Sequence, residues 1–216
     1  MAMLVKLADR AATAQGLVIL KKAYPDATYY LNFSTLLQLL VAVVLSAQCR
    51  DEAVNACTAQ LFKRYRTAQD FAELKDSDIS SITFSKNKAA NIRAAMEQLI
   101  SRYNGQVPQT MEELTALPGI GRKSANVILA NGFHKVVGIP VDTHVIRLSQ
   151  RLGWTRQRDP EKIEKDLQAL FPKSEWEQLP HLLKSHGRAL CKAPVPICSR
   201  CPLAQLCPRN GVTKSL

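Results

Sequence analysis

The sequence contains no apolar run long enough to cross a bilayer. Its best candidate, residues 36–45, is about half the roughly 20 residues that a transmembrane helix needs, and it includes Gln38. We therefore predict a buried helix there. The first residues, MAMLVKLADRAATAQG, have no long apolar stretch that ends in a cleavage site, so we expect no signal peptide. Together these absences predict a soluble, cytoplasmic protein.

Low-complexity tracts, internal repeats and long alternations of polar and apolar residues are also missing. Without such alternation nothing favours a β-sheet, whereas helical signals recur along the chain. These signals are apolar spacing, N-cap residues and a Thr-x-x-Glu capping box at 110–113. The helices they predict cover residues 36–47, 51–62, 87–103, 110–117, 143–152, 160–171, and 175 or 179 to about 190. We predict an all-α fold.

Acidic residues are scarce relative to basic ones. The 216 residues include 29 Lys and Arg against 18 Asp and Glu, which gives a formal net charge of +11. An excess of this size in a small protein makes a polyanion a natural partner. A merely basic protein would show the same excess, so the charge indicates a class of partner and no chemistry.

Cysteine is concentrated near one end of the chain. Four of the six cysteines follow the spacing C-x6-C-x2-C-x5-C between positions 191 and 207. Because cytosolic proteins rarely keep disulfides, such a dense group of thiols points to a metal centre. Four thiolates suit zinc or an iron–sulfur cluster, and ligand chemistry alone leaves the two open. A set of disulfides is the third alternative.

Residues 117–126, LPGIGRKSAN, predict a tight turn followed by a helix. Gly119 and Gly121 flank Ile120, and glycine permits backbone angles and a close approach of ligands that other residues do not. A helix that begins here presents N–H groups and the positive end of its dipole. The pattern L-x-x-L-x-G-I-G-x-x-x-A-x-x-I-L resembles the helix-hairpin-helix motif, which holds a DNA phosphate through its backbone. The alternative is a plain turn between helices, and the motif alone does not establish an enzyme.

Lys123 falls on the first turn of that predicted helix. A lysine there is usually a solvated surface charge, and it is mildly unfavourable beside the positive end of the dipole. Positive surroundings also free an amine for nucleophilic attack. Asp142, in the apolar frame PVDTHV, supplies a carboxylate that such a nucleophile would need. Its alternative role is to cap the helix predicted at 143–152.

These features together resemble the endonuclease III family of helix-hairpin-helix DNA glycosylases. LPGIGRKSAN is followed by VDTHV and by the four spaced cysteines, and the resemblance runs from about Asn32 to Arg209. It implies two all-α domains with the active site between them. One is a six-helix domain at 25–138 with the hairpin at about 110–130. The other is a discontinuous iron–sulfur cluster domain, residues 1–24 plus 139–216.

The resemblance implies catalytic roles for Lys123 and Asp142. The sugar becomes oxocarbenium-like at C1′ as the damaged base leaves, and an ionised Asp142 would stabilise that charge. Lys123 would attack C1′ and form a Schiff base, after which β-elimination cuts the strand 3′ to the lesion. A lysine at this position implies a bifunctional DNA glycosylase and AP lyase.

Also implied is a [4Fe–4S] cluster in preference to zinc, held by Cys191, Cys198, Cys201 and Cys207. We expect its role to be structural. The cluster would shape a basic loop in which Lys192 and Arg200 contact DNA phosphates.

A glycosylase must flip its target base out of the stack and fill the gap. Residues 46–48 match the family's Ser-Ala-Gln, which implies Gln48 as one wedge, and Phe84 stands where the family has a leucine wedge. Thr83 and Ser85 replace the usual glycine and tyrosine, so this loop departs from the family pattern. Further DNA contacts are predicted at Lys88, Gly119, Ile120, Gly121 and Arg122.

The leading functional prediction is base-excision repair by a DNA glycosylase with AP-lyase activity on oxidised pyrimidines. Its partner would be double-stranded DNA with a damaged base or an abasic site. We expect a monomer associated with the chromosome of a bacterium or archaeon, with no role for a membrane. The altered loop at 82–87 leaves a mismatch-directed thymine or uracil DNA glycosylase open. A non-catalytic iron–sulfur DNA-binding protein is the alternative from another class, and Lys123 with Asp142 argues against it.

Overall fold

The structure is a computed structural model that describes residues 6–216, and the regular secondary structure of these residues is helical. Within these residues there is no β-strand, so the predicted all-α fold is confirmed. None of the described helices is both long and apolar enough to cross a membrane. The α-helices in this part of the chain are α1 (Arg10–Ala23), α2 (Leu36–Ser46), α3 (Asp51–Arg64), α4 (Ala68–Ala72), α5 (Ser85–Tyr103), α6 (Met111–Thr115), α7 (Arg122–Phe133), α8 (Thr143–Arg151), α9 (Pro160–Leu170) and α10 (Leu179–Ala189).

The capping box predicted at the start of α6 forms only in part. Thr110 Oγ1 accepts the Glu113 N–H at 3.2 Å, but the Glu113 carboxylate accepts from the Thr110 hydroxyl instead of from its backbone. A complete box begins α4, where Thr67 and Asp70 each bond the other's backbone N–H. Aspartate at the third helical position can thus reach back to the N-cap, although the usual pattern has Glu or Gln there.

The chain divides into two compact units. One spans Tyr30–Val137 and contains α2 to α7. The other joins the segment that ends at Tyr29 to Gly138–Leu216, and it contains α1 and α8 to α10. The predicted domain limits, 24/25 and 138/139, lie near these divisions. That each unit folds as an independent domain stays a prediction.

Helix α2 forms the centre of the unit Tyr30–Val137. Its residues 39–45 are all buried, and α3, α5 and α7 pack around it. The contact with α7 is close, because a Cβ on Gly132 would lie 2.6 Å from Leu36 Cδ2. Packing against α2 therefore fixes α7, and with it the first turn that carries Lys123.

The other unit has one apolar core to which α1, α8, α9 and α10 all contribute. Trp154 and Phe171 meet edge to face within it, with ring centroids 5.0 Å apart. Cys191, Cys201 and Cys207 pack against the border of this core. The cysteine segment is therefore attached to the core through three of its predicted ligands.

Candidate active site and cysteine centre

The turn between α6 and α7 requires a glycine at position 119. Gly119 has φ +80°, and a Cβ there would lie 3.0 Å from the Cβ of Asn91. Ile120 is 4% exposed, and its N–H donates to the Leu117 carbonyl at 3.1 Å. Ile120 thus shapes the turn through a buried side chain and an internal hydrogen bond. Its contact with DNA stays a prediction.

Gly121 has open space beside it. Apart from Gly121 itself and its two chain neighbours, no residue has an atom within 4 Å of the position that a Cβ would occupy, and Gly121 directly precedes α7. Gly119, Gly121, Arg122 and Lys123 are all exposed. An exposed glycine at the start of a helix lets an anion approach the backbone closely. The geometry of this turn therefore suits a phosphate, with the Lys123 amine on the adjoining helical turn.

Asp142 begins α8 as its N-cap, which confirms that part of its prediction. Oδ1 accepts the backbone N–H groups of His144 and Val145, each at 2.8 Å. Because both bonds use Oδ1, the cap does not engage Oδ2. The side chain is half-buried. One oxygen therefore fixes the carboxylate on a helix end, and the other can face a developing positive charge.

Two arginines of α8 connect this helix to the cysteine segment. Arg147 Nε donates to the Cys191 carbonyl at 3.1 Å, and Arg151 Nη1 donates to the Lys192 carbonyl at 2.8 Å. Arg151 is 9% exposed, and its Nη1 also lies 3.4 Å from Cys191 Sγ. The helix that begins at Asp142 therefore ends against the segment that holds the cysteines.

The four predicted ligand cysteines line a single pocket whose remaining wall is largely apolar. All four thiols are half-buried. Among residues 6–216, no three His, Cys, Asp or Glu side chains come close enough together to hold one metal ion. Zinc–sulfur bonds of about 2.3 Å would draw four sulfurs around one point. Four cysteines around one pocket suit either zinc or an iron–sulfur cluster.

The surroundings of these thiols affect how a metal could bind. Burial raises the pKa of Cys207 to about 11, and it also raises the pKa of Cys201. A cysteine ligates as the thiolate, so metal binding here must displace protons. Lys192 and Arg200, the predicted phosphate contacts in this segment, are both exposed.

A buried histidine links Tyr24 to the cysteine pocket. His186 is 1% exposed, its Nδ1 lies 2.9 Å from the Tyr24 hydroxyl, and its Nε2 lies 3.5 Å from Cys201 Sγ. Burial lowers the pKa of His186 to about 4, so the ring is neutral and has one N–H. A thiolate can only accept a hydrogen bond. When Cys201 is deprotonated, Nε2 therefore donates to it and the Tyr24 hydroxyl donates to Nδ1.

The two predicted wedge residues share an uncommon backbone conformation. Gln48 has φ 51° and Phe84 has φ 58°, both in the left-handed region that residues other than glycine rarely adopt. Both side chains are exposed, and Phe84 is 58% exposed. Gln48 follows the end of α2, and Phe84 is the N-cap of α5. Exposed residues in a costly conformation are typical of functional positions.

Lys88 is not on the surface, contrary to its prediction as a DNA contact. It is 5% exposed, and its Nζ donates to the Leu45 carbonyl at 2.8 Å. A contact with a phosphate needs an accessible ammonium group, so that prediction is wrong. The buried position follows from the approach of α5 to α2, which no local pattern in the sequence indicates.

Three residues around the cysteine pocket were missed in the sequence: Tyr24, Arg147 and Arg151. Tyr24 carries no local signal, because its partner His186 lies far along the chain. The two arginines stand four residues apart, which is the spacing of one helical face. A basic stripe on a helix usually faces solvent, and only the packing against the cysteine segment distinguishes this one.

The chain is similar to known proteins over nearly its whole length. The HhH-GPD superfamily of base excision DNA repair proteins matches residues 41–173. Endonuclease III of Synechocystis sp. is 49% identical over 212 residues, which cover 95% of this chain and 96% of that protein. Endonuclease III of Bacillus subtilis is 44% identical over 193 residues, which cover 87% of each.

Solved structures give the same result. A trapped covalent intermediate between endonuclease III and DNA, in an estranged-adenine complex, matches with a TM-score of 0.89 and 43% sequence identity. That match covers 93% of this chain and 96% of the other. Likeness of sequence and of fold at these levels confirms the resemblance seen in the motifs. The chain belongs to the endonuclease III family, within the HhH-GPD superfamily of base excision DNA repair proteins.

Proposed function

We propose that Lys123 is the nucleophile and Asp142 the stabilising carboxylate of this DNA glycosylase and AP lyase, and that its substrates are oxidised pyrimidines in duplex DNA. The observation that carries the proposal is the position of Lys123. Its exposed side chain extends from the first turn of α7, two residues after a glycine with open space beside it. A phosphate held at the turn would bring the adjoining sugar within reach of that amine.

Lys123 acts as a neutral amine in this proposal. Its nitrogen attacks C1′ of the damaged nucleotide as the bond from C1′ to the base breaks, and opening of the sugar ring then gives a Schiff base. The imine acidifies the 2′ hydrogen, whose removal expels the 3′ phosphate and cuts the strand. Hydrolysis of the imine releases the lysine. A hydroxyl group or water cannot form an imine, so the amine accounts for strand scission.

Asp142 stabilises the positive charge that develops on the sugar as the base leaves. Its two hydrogen bonds from backbone N–H groups hold the carboxylate in one orientation. A group that is already oriented needs no reorganisation when the charge appears, and this is the main source of electrostatic catalysis. The cap therefore supports the catalytic role and does not compete with it.

We propose that the four cysteines hold a [4Fe–4S] cluster with a structural role. The shared pocket and the likeness of the cysteine spacing to that of the endonuclease III family support this choice over zinc. These four cysteines would hold the cluster, and its ligation would cross-link the segment. Arg147 and Arg151 tie the same segment to α8, so Lys192 and Arg200 would lie on an ordered loop. Elemental analysis should find iron and sulfide, and zinc alone would contradict the proposal.

We infer that DNA phosphates meet the exposed turn at Gly119, Gly121 and Arg122, and the exposed side chains of Lys192 and Arg200. The net charge of +11 supports a backbone-directed mode of binding. We further infer that the protein works as a monomer on chromosomal DNA in the cytoplasm. Sedimentation of the protein with one short duplex should give a complex of one chain per duplex, and two chains would contradict a monomer.

Borohydride trapping tests the nucleophile. A duplex with one abasic site is mixed with the wild type or with Lys123→Ala, and borohydride reduces any imine to a stable amine. The wild type should form a covalent adduct and Lys123→Ala should not. Lys63→Ala removes another exposed lysine of the same unit and should trap normally. An adduct of equal yield in Lys123→Ala would assign the nucleophile elsewhere, and no adduct from active wild type would make the enzyme monofunctional.

A panel of duplexes tests the class of substrate. We expect release of thymine glycol and no release of normal bases. The altered loop at 82–87, with Phe84 exposed at its centre, makes G·T and G·U mismatches the necessary comparison. If base release is faster from the mismatched duplexes, the proposed substrates change from oxidised pyrimidines to mismatched thymine or uracil. Absence of base release from every duplex would leave a DNA-binding iron–sulfur protein.

A further inference from the structure

Lys88 is bonded to both of the segments that carry the predicted wedges. Its side-chain Nζ donates to the Leu45 carbonyl at 2.8 Å, and its backbone N–H donates to the Phe84 carbonyl at 3.1 Å. Leu45 lies in the last turn of α2, and Gln48 follows that turn. One residue therefore links the segment of Gln48 to the segment of Phe84.

A lysine is a costly residue for this position. Lys88 is 5% exposed, and burial lowers its pKa, with a smaller opposing effect from the Cys49 thiol. Among residues 6–216 no carboxylate pairs with the ammonium group. An apolar side chain such as Met would fill the space without the loss of hydration. Packing alone therefore does not explain why a lysine stands here.

The hydrogen bond to Leu45 gives the ammonium group a specific task. The last carbonyls of a helix have no partner within the helix. After α2, the N–H groups of Ala47 and Cys49 donate to Val44 and Ser46, and the Leu45 carbonyl receives Lys88. A cation is also favourable at the negative end of the α2 dipole. The bond thus fixes the end of α2 relative to the start of α5.

We propose that Lys88 is a positioning residue that holds Gln48 and Phe84 at the spacing needed to enter the duplex together when the target base is flipped. The proposal rests on the proposed glycosylase function. Flipping a paired base requires unpairing and unstacking, and side chains that are already positioned fill the gap without an ordering cost at that moment. Both wedges are exposed and in left-handed conformations, so packing of their own side chains does not hold them in place.

The test compares two duplexes that differ only in the pairing of the lesion. In one, thymine glycol lies opposite adenine; in the other, it lies opposite a tetrahydrofuran abasic analogue. Lys88→Met removes the ammonium but keeps the length of the side chain. Its single-turnover rate of base release should fall about tenfold on the paired lesion and less than about threefold on the unpaired one, since no pair has to be broken there. Lys63→Met, on the surface of α3, should leave both rates unchanged.

The ratio of the two rates separates positioning from general damage to the protein. Equal losses on both duplexes would mean that Lys88 only stabilises the fold, and no loss on either would remove any role in flipping. Both outcomes overturn the proposal. A wild-type enzyme that is inactive on both duplexes would instead contradict the proposed function itself, which the proposal requires.

A double-mutant cycle tests whether Lys88 acts through the wedge. In a Phe84→Ala background, Lys88→Met should change the ratio of rates by less than about twofold, because coupled residues are not additive. Fully additive effects would overturn the proposal. If Lys88→Met does not fold, Lys88→Arg enters the same cycle, since it keeps a cation but not the compact ammonium group. An unchanged ratio in Lys88→Arg would then count against positioning.

Discussion

The backbone N–H of Val145 donates to Oδ1 of Asp142 at 2.8 Å, beside an equal bond from His144. The same carboxylate therefore begins helix α8 and presents a fixed negative charge. These two roles depend on different properties, namely an acceptor oxygen for the cap and an ionised group for the chemistry. Asparagine caps a helix about as well as aspartate, so one substitution can separate them.

Asp142→Asn should leave the fold intact and remove the charge. We expect the rate of base release to fall about 100-fold, as for other groups aimed at a developing charge. The free energy of unfolding should change by less than about 0.5 kcal/mol, because the amide oxygen still caps α8. Single-turnover kinetics and thermal melting measure the two effects. Asp159→Asn makes the same exchange at the N-cap of α9 and should leave the rate unaffected. A normal rate in Asp142→Asn would restrict the aspartate to capping.

The two glycines of the turn should respond differently to alanine. Gly119→Ala forces a side chain into φ +80° and towards Asn91, so it should destabilise the fold by about 1–2 kcal/mol. Gly121→Ala has open space and an ordinary φ of −95°, and it should cost less than about 1 kcal/mol. Its methyl group would instead stand where a phosphate approaches, so duplex affinity should fall about tenfold. Melting curves measure the loss of stability, and binding isotherms measure the loss of affinity. A Gly121→Ala variant that binds DNA normally would contradict the phosphate site.

Lys192 and Arg200 should contribute to binding through phosphate contacts alone. Each phosphate that a protein neutralises makes the negative slope of log K against log salt steeper by about 0.9. We therefore expect Lys192→Met and Arg200→Met each to reduce that slope by about 1, equally for damaged and undamaged duplexes. Lys162→Met, exposed on α9, is the control and should keep the wild-type slope. Unchanged slopes in Lys192→Met and Arg200→Met would show that other residues contact the phosphates.

The helices could be predicted because the signals that define them are local. Apolar residues at 36–47 predicted a buried helix, and α2 occupies Leu36–Ser46 with its centre fully buried. The cap at Asp142 was predicted in the same way, since an N-cap bonds residues two and three positions later. The close spacing of the four cysteines predicted that they lie together, and they line one pocket. In each case the information lies within a few residues of the feature.

Lys88 shows why other parts of the site could not be predicted. Its burial depends on the approach of α5 to the end of α2, and these two helices are distant in sequence. Its hydrogen-bond partner is a backbone carbonyl, which any residue type would offer, so the identity of Leu45 gives no signal. Arg151 is similar, because it bonds to carbonyls and a thiol some forty residues away. Both lysine and arginine are usually exposed, so the default expectation for each was a surface position. Only tertiary packing overrides that expectation.

The contacts of His186 predict an effect on the reduction potential of the proposed cluster. If Cys201 holds the proposed cluster it would be a thiolate, so His186 Nε2 would donate to it and the Tyr24 hydroxyl would fix that tautomer from the other side of the ring. A hydrogen bond to a ligand sulfur stabilises the more negative, reduced state and raises the potential. His186→Met should therefore lower the potential, and Tyr24→Phe should lower it less, because the ring can still donate without a fixed tautomer. Voltammetry on protein with full cluster absorbance measures this order, with Tyr103→Phe in the other unit as the control. Equal potentials in all four proteins would show that the histidine supports packing only.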